Sequence, residues 1–105
     1  MIYYSLYSAD GNLENVVKFH KWAKSTKGIK FEYQSMHKGI ITLGYSFKNA
    51  NIQYEGHVRV EEITALSIQI EGTSKQTVEE ICDSIETNFP ELKRKGGKVS
   101  EIALS

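Results

Sequence analysis

His57 is the residue whose neighbours could most readily do chemistry. It lies in the alternating run Gln53, Glu55, His57, Arg59, so a strand there sets an imidazole, a carboxylate and a guanidinium on one face. General acid–base work needs such a set. If a neighbouring strand brought Lys30, Glu32 and Gln34 alongside, the face would gain a second carboxylate and a further cation. An open sheet face does not exclude water, and an ordinary solvated face has the same composition. A small enzyme centred on His57 is therefore an alternative, and the expectation is a protein with no catalytic residue.

The other chemical candidates are weaker. His20 falls inside the apolar arc of a helix, where a lone histidine reads as a satisfied core residue, and His37 falls in a turn. Cys82 is the only cysteine, which excludes an intrachain disulfide and any multi-cysteine metal site. It sits on a buried stripe, where cysteine behaves as a small hydrophobe. No two histidines stand at the helical i, i+4 spacing, so no metal is expected. No nucleophile elbow, dinucleotide fingerprint or phosphate loop occurs, so no cofactor is expected. Lys93-Arg94-Lys95-Gly96-Gly97-Lys98 has the composition of a phosphate-contacting loop without its spacing.

Charge carries more information. The 105 residues hold 13 basic and 13 acidic side chains, which excludes a uniformly basic nucleic-acid binder. Residues 1–53 nevertheless sum to +4 and residues 54–105 to −4, and the segment 54–91 alone to −7. Within it Glu79, Glu80, Asp83 and Glu86 project from one helix inside an arc of ~120°. The lone basic residue at that spacing is Lys75, at the helix start four before Glu79, so the four read as an acidic docking ridge that steers a basic partner. Glu55, Glu61 and Glu62 are candidates to extend the patch. The lysines of the first helix, Lys18, Lys21 and Lys24, spread around it rather than forming a stripe.

Trp22 projects ~120° or more from the centre of the first helix's apolar arc. It is expected at the edge of the core or outside it, where a tryptophan makes a binding hot spot. Tyr3 and Tyr7 share the more polar face of the first strand, which points their hydroxyls at water.

These residues need elements to hold them. Period-two alternation predicts strands over 2–8, 29–34, 40–47, 52–60 and 66–71. In the first, Ile2, Tyr4 and Leu6 form the apolar face. In the second, a half-buried strand, Ile29, Phe31 and Tyr33 share one side. Asp10-Gly11 breaks the first strand, and Asn12 can cap a helix over 13–26 whose arc is Leu13, Val16, Val17, Phe19 and Ala23. Gly28 closes that helix. Thr73 and Gln76 fit a capping box ahead of a second helix with Val78, Ile81, Cys82, Ile85 and Phe89 in one stripe, ended by Pro90. Glu61-Glu62 is read as a turn and 92–98 as a basic loop. Val99, Ile102 and Leu104 form a short last strand or a docked tail.

The order is strand, helix, four strands, helix, with that short last strand. It predicts one α+β domain over 1–105, a two-layer sandwich with two helices on one face of a mainly antiparallel sheet of about five strands. The first strand-helix-strand unit reads as a parallel crossover. The start carries no signal-peptide pattern and no run is long enough to span a membrane, so a cytoplasmic protein is expected. By elimination, the expected function is stoichiometric binding to another protein. The best fit is an inhibitor of immunity or antitoxin type that neutralises a basic, nuclease-like toxin. Its partner-binding residues are Glu79, Glu80, Asp83, Glu86, Glu55, Glu61, Glu62 and Trp22. A nucleic-acid module using Lys18, Lys21, Trp22, Lys24 and residues 93–98 is the other alternative, and an exposed edge strand leaves monomer or homodimer open.

Overall fold

The alternating segments become strands β1 (Ile2–Asp10), β2 (Ile29–His37), β3 (Ile40–Phe47), β4 (Ala50–Arg59), β5 (Glu62–Gly72) and β6 (Lys93–Ile102). The 3.6-periodic segments become α1 (Leu13–Ser25) and α2 (Lys75–Asn88). This computed structural model describes residues 1–10, 13–59 and 62–102, with side chains except at 9, 10, 13, 57–59, 62–66 and 96–98. The protein is α+β, and its strands form an antiparallel sheet in the order β2-β3-β4-β5-β1-β6.

Among the described residues six strands stand where about five and a possible short last one were expected, and residues 93–98 are strand rather than loop. Lys93, Arg94 and Lys95 pair with Ser8, Tyr7 and Leu6 as the first half of β6. After a register shift, Ser100, Glu101 and Ile102 pair with Tyr4, Tyr3 and Ile2. Lysine and glycine are poor strand formers, but an edge strand tolerates both, since one side of it stays in water. Leu104 lies outside the described residues. The expected parallel crossover is present: β1 and β2 run in the same direction in one sheet and are joined through α1, with β5, β4 and β3 standing between them. Glu62 pairs with Arg59 as the first residue of β5 rather than lying in a turn. Glu61, Val60 and the capping candidate Asn12 lie outside the described residues.

One face of the sheet carries the core. Leu43, Tyr45, Ile52, Tyr54, Ile68 and Ile70 line it, and Phe19 of α1 and Val78, Ile81, Cys82 and Ile85 of α2 complete it. Phe19 stacks against Tyr54 (4.6 Å between centroids), Tyr45 (5.9 Å) and Phe89 (5.5 Å), so both helices meet the same face. The helix-two stripe is buried as its spacing predicts. Its cap falls one residue later than expected: Ser74, not Thr73, accepts from the Thr77 N–H at 3.3 Å. In α1, Val16, Phe19 and Ala23 are buried, but Val17 is exposed, because α1 sits near the β2 edge and its flank overhangs the sheet.

Two face assignments reverse. Tyr3, Ser5 and Tyr7, not Ile2, Tyr4 and Leu6, point at the helices, because Tyr7 lies across from Ile68 and Ser5 from Ile70. Cross-strand partners share a face, so pairing with β5 decided which side of β1 was buried. Tyr7 is fully buried, which removes it from any wet binding surface. In β2 a bulge between Phe31 and Tyr33 inserts one residue, leaving Phe31 opposite Tyr45 on the core side and Tyr33 opposite Gly44 on the other. β2 is also not half-buried, since from Lys30 to His37 every residue is exposed. A strand at the sheet margin has neighbours on one side only, and α1 meets it at Phe31, where the His20 ring stands edge-on.

Candidate partner-binding site

A depression of about 260 Å³ is lined by strand residues alone, and a smaller one of about 160 Å³ lies between the two helices. The smaller one joins residues that the sequence raised separately. Trp22 of α1, with Thr26 and Lys27 just after the helix, forms one wall, Glu80, Ile81 and Ser84 of α2 the other, with Ile29 and Phe47 completing the lining. Trp22 is half-buried rather than outside, packed against Phe19 (5.3 Å) and edge-on to Phe89 (5.6 Å). The Thr26 hydroxyl donates to the Trp22 carbonyl at 2.6 Å, closing the last turn before Gly28 takes its left-handed φ of 92°. One edge of the indole is therefore held by the core and the rest faces the depression.

The acidic ridge is only partly uncompensated. Lys48 donates to Glu80 at 3.2 Å, and Arg94 lies 3.1 Å from Glu86. Neither partner could be found by helical spacing, because both arrive from other strands or turns. Lys48 reaches α2 from the β3–β4 hairpin, where it holds a left-handed φ of 53°. Glu79 and Asp83, four apart, are exposed and have no ion pair among the described residues. That leaves, among the described residues, a pair of carboxylates without an ion pair on the same helix as Glu80, which lines the Trp22 depression.

The remaining candidates do not join this patch. Glu55 alternates with the buried Tyr54, so it faces away from the helices, where Thr42 and Ser67 flank it. The sheet separates it from Glu79 and Asp83, which corrects the expectation of one continuous acidic surface. The side chains of Glu62, His57 and Arg59, and Glu61 entirely, lie outside what the structure describes. The larger polar depression is on this opposite face, lined by Glu32, Tyr33, Gly44, Asn51, Gln53, Gln69 and Glu71. Glu32 and Gln34 were expected to adjoin His57, but β3 intervenes between β2 and β4. Glu32 instead accepts from the Ser46 hydroxyl.

Arg94 does something the sequence did not suggest. Its Nε donates to the buried Tyr7 hydroxyl at 3.2 Å, and its Nη2 donates to Glu86 at the same distance. Burial and contact with Cys82 push the Tyr7 phenol above its ordinary range, so it remains protonated. Arg94 is thus a structural clasp between β1, β6 and α2, not a solvated phosphate contact. His20 is satisfied as expected, 2.7 Å from the Tyr45 hydroxyl and edge-on to Phe31. Among the described residues no cluster of three metal-ligating side chains occurs, and no helix is long and apolar enough to cross a membrane. No protein-family model matches the chain, and no curated protein is significantly similar to it.

Proposed function

We propose that the chain is a two-layer scaffold whose role is stoichiometric binding of another protein, as an inhibitor of immunity or antitoxin type that neutralises a basic, nuclease-like toxin in the cytoplasm. The observation that carries this reading is the adjacency of a half-buried Trp22 and the acidic outer side of α2. Interfaces combine an aromatic anchor at a pocket with a charged rim. Trp22, Ile29, Phe47 and Ile81 supply the apolar part, and Glu80, Glu79 and Asp83 supply the rim. The carboxylates accelerate encounter with a basic partner, and the indole holds it after contact.

The test is capture of a partner from the native host followed by its identification. A basic nuclease or its toxin domain is expected. Reversing Glu79 and Asp83 to lysine should weaken its capture at low salt and flatten its salt dependence, and Trp22→Ala should speed its release. Capture unaffected by either change would rule out this surface.

A further inference from the structure

We propose that the free edge of β2 pairs with the same edge of a second copy of this chain, about a two-fold axis through Ser35, joining two sheets into one. Past its bulge, over Tyr33 to His37, the edge is unguarded. Phe31, Tyr33 and Met36, respectively 41%, 48% and 63% exposed, are three of the large apolar side chains left in water among the described residues, and all stand on this strand. The opposite margin of the sheet, β6, is lined by Lys93, Arg94 and Lys95 and interrupted by a register shift, which is how natural edges are kept from pairing.

Which backbone groups are free follows from the hairpin. His37 pairs with Ile40 across a two-residue turn in which Lys38 and Gly39 both have positive φ, 49° and 79°. That is a type I′ turn, in which the flanking residues exchange both hydrogen bonds. Hydrogen-bonded and non-hydrogen-bonded pairs then alternate. His37, Ser35 and Tyr33 turn their N–H and C=O groups toward β3, and Gln34 and Met36 turn theirs outward. The bulge between Phe31 and Tyr33 ends this regular stretch. The available edge is therefore Tyr33-Gln34-Ser35-Met36-His37, which contains no Lys, Arg, Asp or Glu.

An antiparallel pair needs an axis that sets outward-pointing residues opposite each other. A two-fold through Ser35 does so, placing Gln34 of each copy across from Met36 of the other and forming main-chain bonds at both places. It sets Tyr33 across from His37. Just beyond each end of this stretch it brings Glu32, in the bulge of one copy, to the side of the turn residue Lys38 of the other, opposite charges rather than like ones. The edge is self-complementary in backbone and in charge, as a two-fold interface requires.

Sedimentation equilibrium of the full chain over a wide concentration series tests this. The wild type is expected to be dimeric at the upper end. Met36→Pro removes a donor that β3 does not use, a place where an edge strand tolerates proline, and should be monomeric throughout with an unchanged circular dichroism spectrum. Glu32→Lys should weaken the dimer about tenfold, and the double variant Glu32→Lys/Lys38→Glu should restore it. The restoration reads the register without depending on the proline variant folding. A wild type that stays monomeric overturns the proposal, including the case in which only another protein's strand occupies the edge. So does a double variant no stronger than Glu32→Lys alone.

Discussion

Nδ1 of His20 and the hydroxyl of Tyr45 lie 2.7 Å apart at the margin of the core, joining α1 to β3. The hydroxyl can donate to the ring nitrogen in one tautomer and accept from it in the other. Burial, reinforced by Lys24 nearby, holds the imidazole below its ordinary range. The unfolded chain therefore takes up the proton first as pH falls below 6.5. Stability is independent of this group above that value and declines as pH falls from it through the folded pKa. Chemical denaturation of wild type and His20→Gln between pH 8 and 5 should give curves that separate below roughly pH 6.5, with the wild type losing more. Parallel curves would show that His20 titrates alike in both states.

Ser5 is buried against the helices with its hydroxyl unpaired among the described residues. A desolvated hydroxyl without a partner costs free energy that a methyl group does not. Ser5→Ala should stabilise the fold by about 1 kcal/mol, seen as a higher urea midpoint at an unchanged slope. A loss of stability would mean the hydroxyl is satisfied in solution.

Lys38 holds a left-handed φ of 49° at the tip of the β2–β3 hairpin, a conformation lysine adopts at a cost. Asparagine adopts it more readily, and Asn-Gly is the favoured pair for a type I′ turn. Lys38→Asn should stabilise the monomer by about 0.5–1 kcal/mol in thermal or urea unfolding. No gain would argue against the type I′ assignment on which the β2 edge register rests.

Arg94 bridges Tyr7 and Glu86, and its side chain is only 15% exposed. Arg94→Ala should destabilise by about 2 kcal/mol, through lost packing on the Tyr7 ring as well as the lost pair. A double-mutant cycle with Glu86→Ala should return a coupling of about 1 kcal/mol, larger than the same cycle for the exposed Lys48–Glu80 pair. Equal couplings would place Arg94 in the solvated surface that composition alone suggests.

Much of this molecule was legible before any coordinates. The stripe Val78, Ile81, Cys82, Ile85 and Phe89 announces α2, and the alternation over β3 and β4 announces half-buried strands, because both periods are local consequences of backbone geometry. The burial of Cys82 and the satisfaction of His20 follow from those periods. Period two, however, divides a strand into two faces without saying which is inside. Pairing with β5 chose Tyr3, Ser5 and Tyr7. It could do so because a tyrosine buries a ring as large as any and Arg94 satisfies its hydroxyl. The bulge that turned Tyr33 over, and the lysine-rich strand β6, are likewise settled by neighbours in the sheet rather than by propensity.

The candidate surface divides in the same way. Residue order is enough to segregate the charge, to put four acids on α2 outside its stripe and to set Trp22 off the centre of the helix-one arc. Packing makes Lys48 and Arg94 claim Glu80 and Glu86, leaves Glu79 and Asp83 without an ion pair among the described residues, and sets Trp22 and Glu80 in one depression. Helical spacing reports neighbours within one element, whereas ion pairs and grooves form between elements brought together by burying a common core.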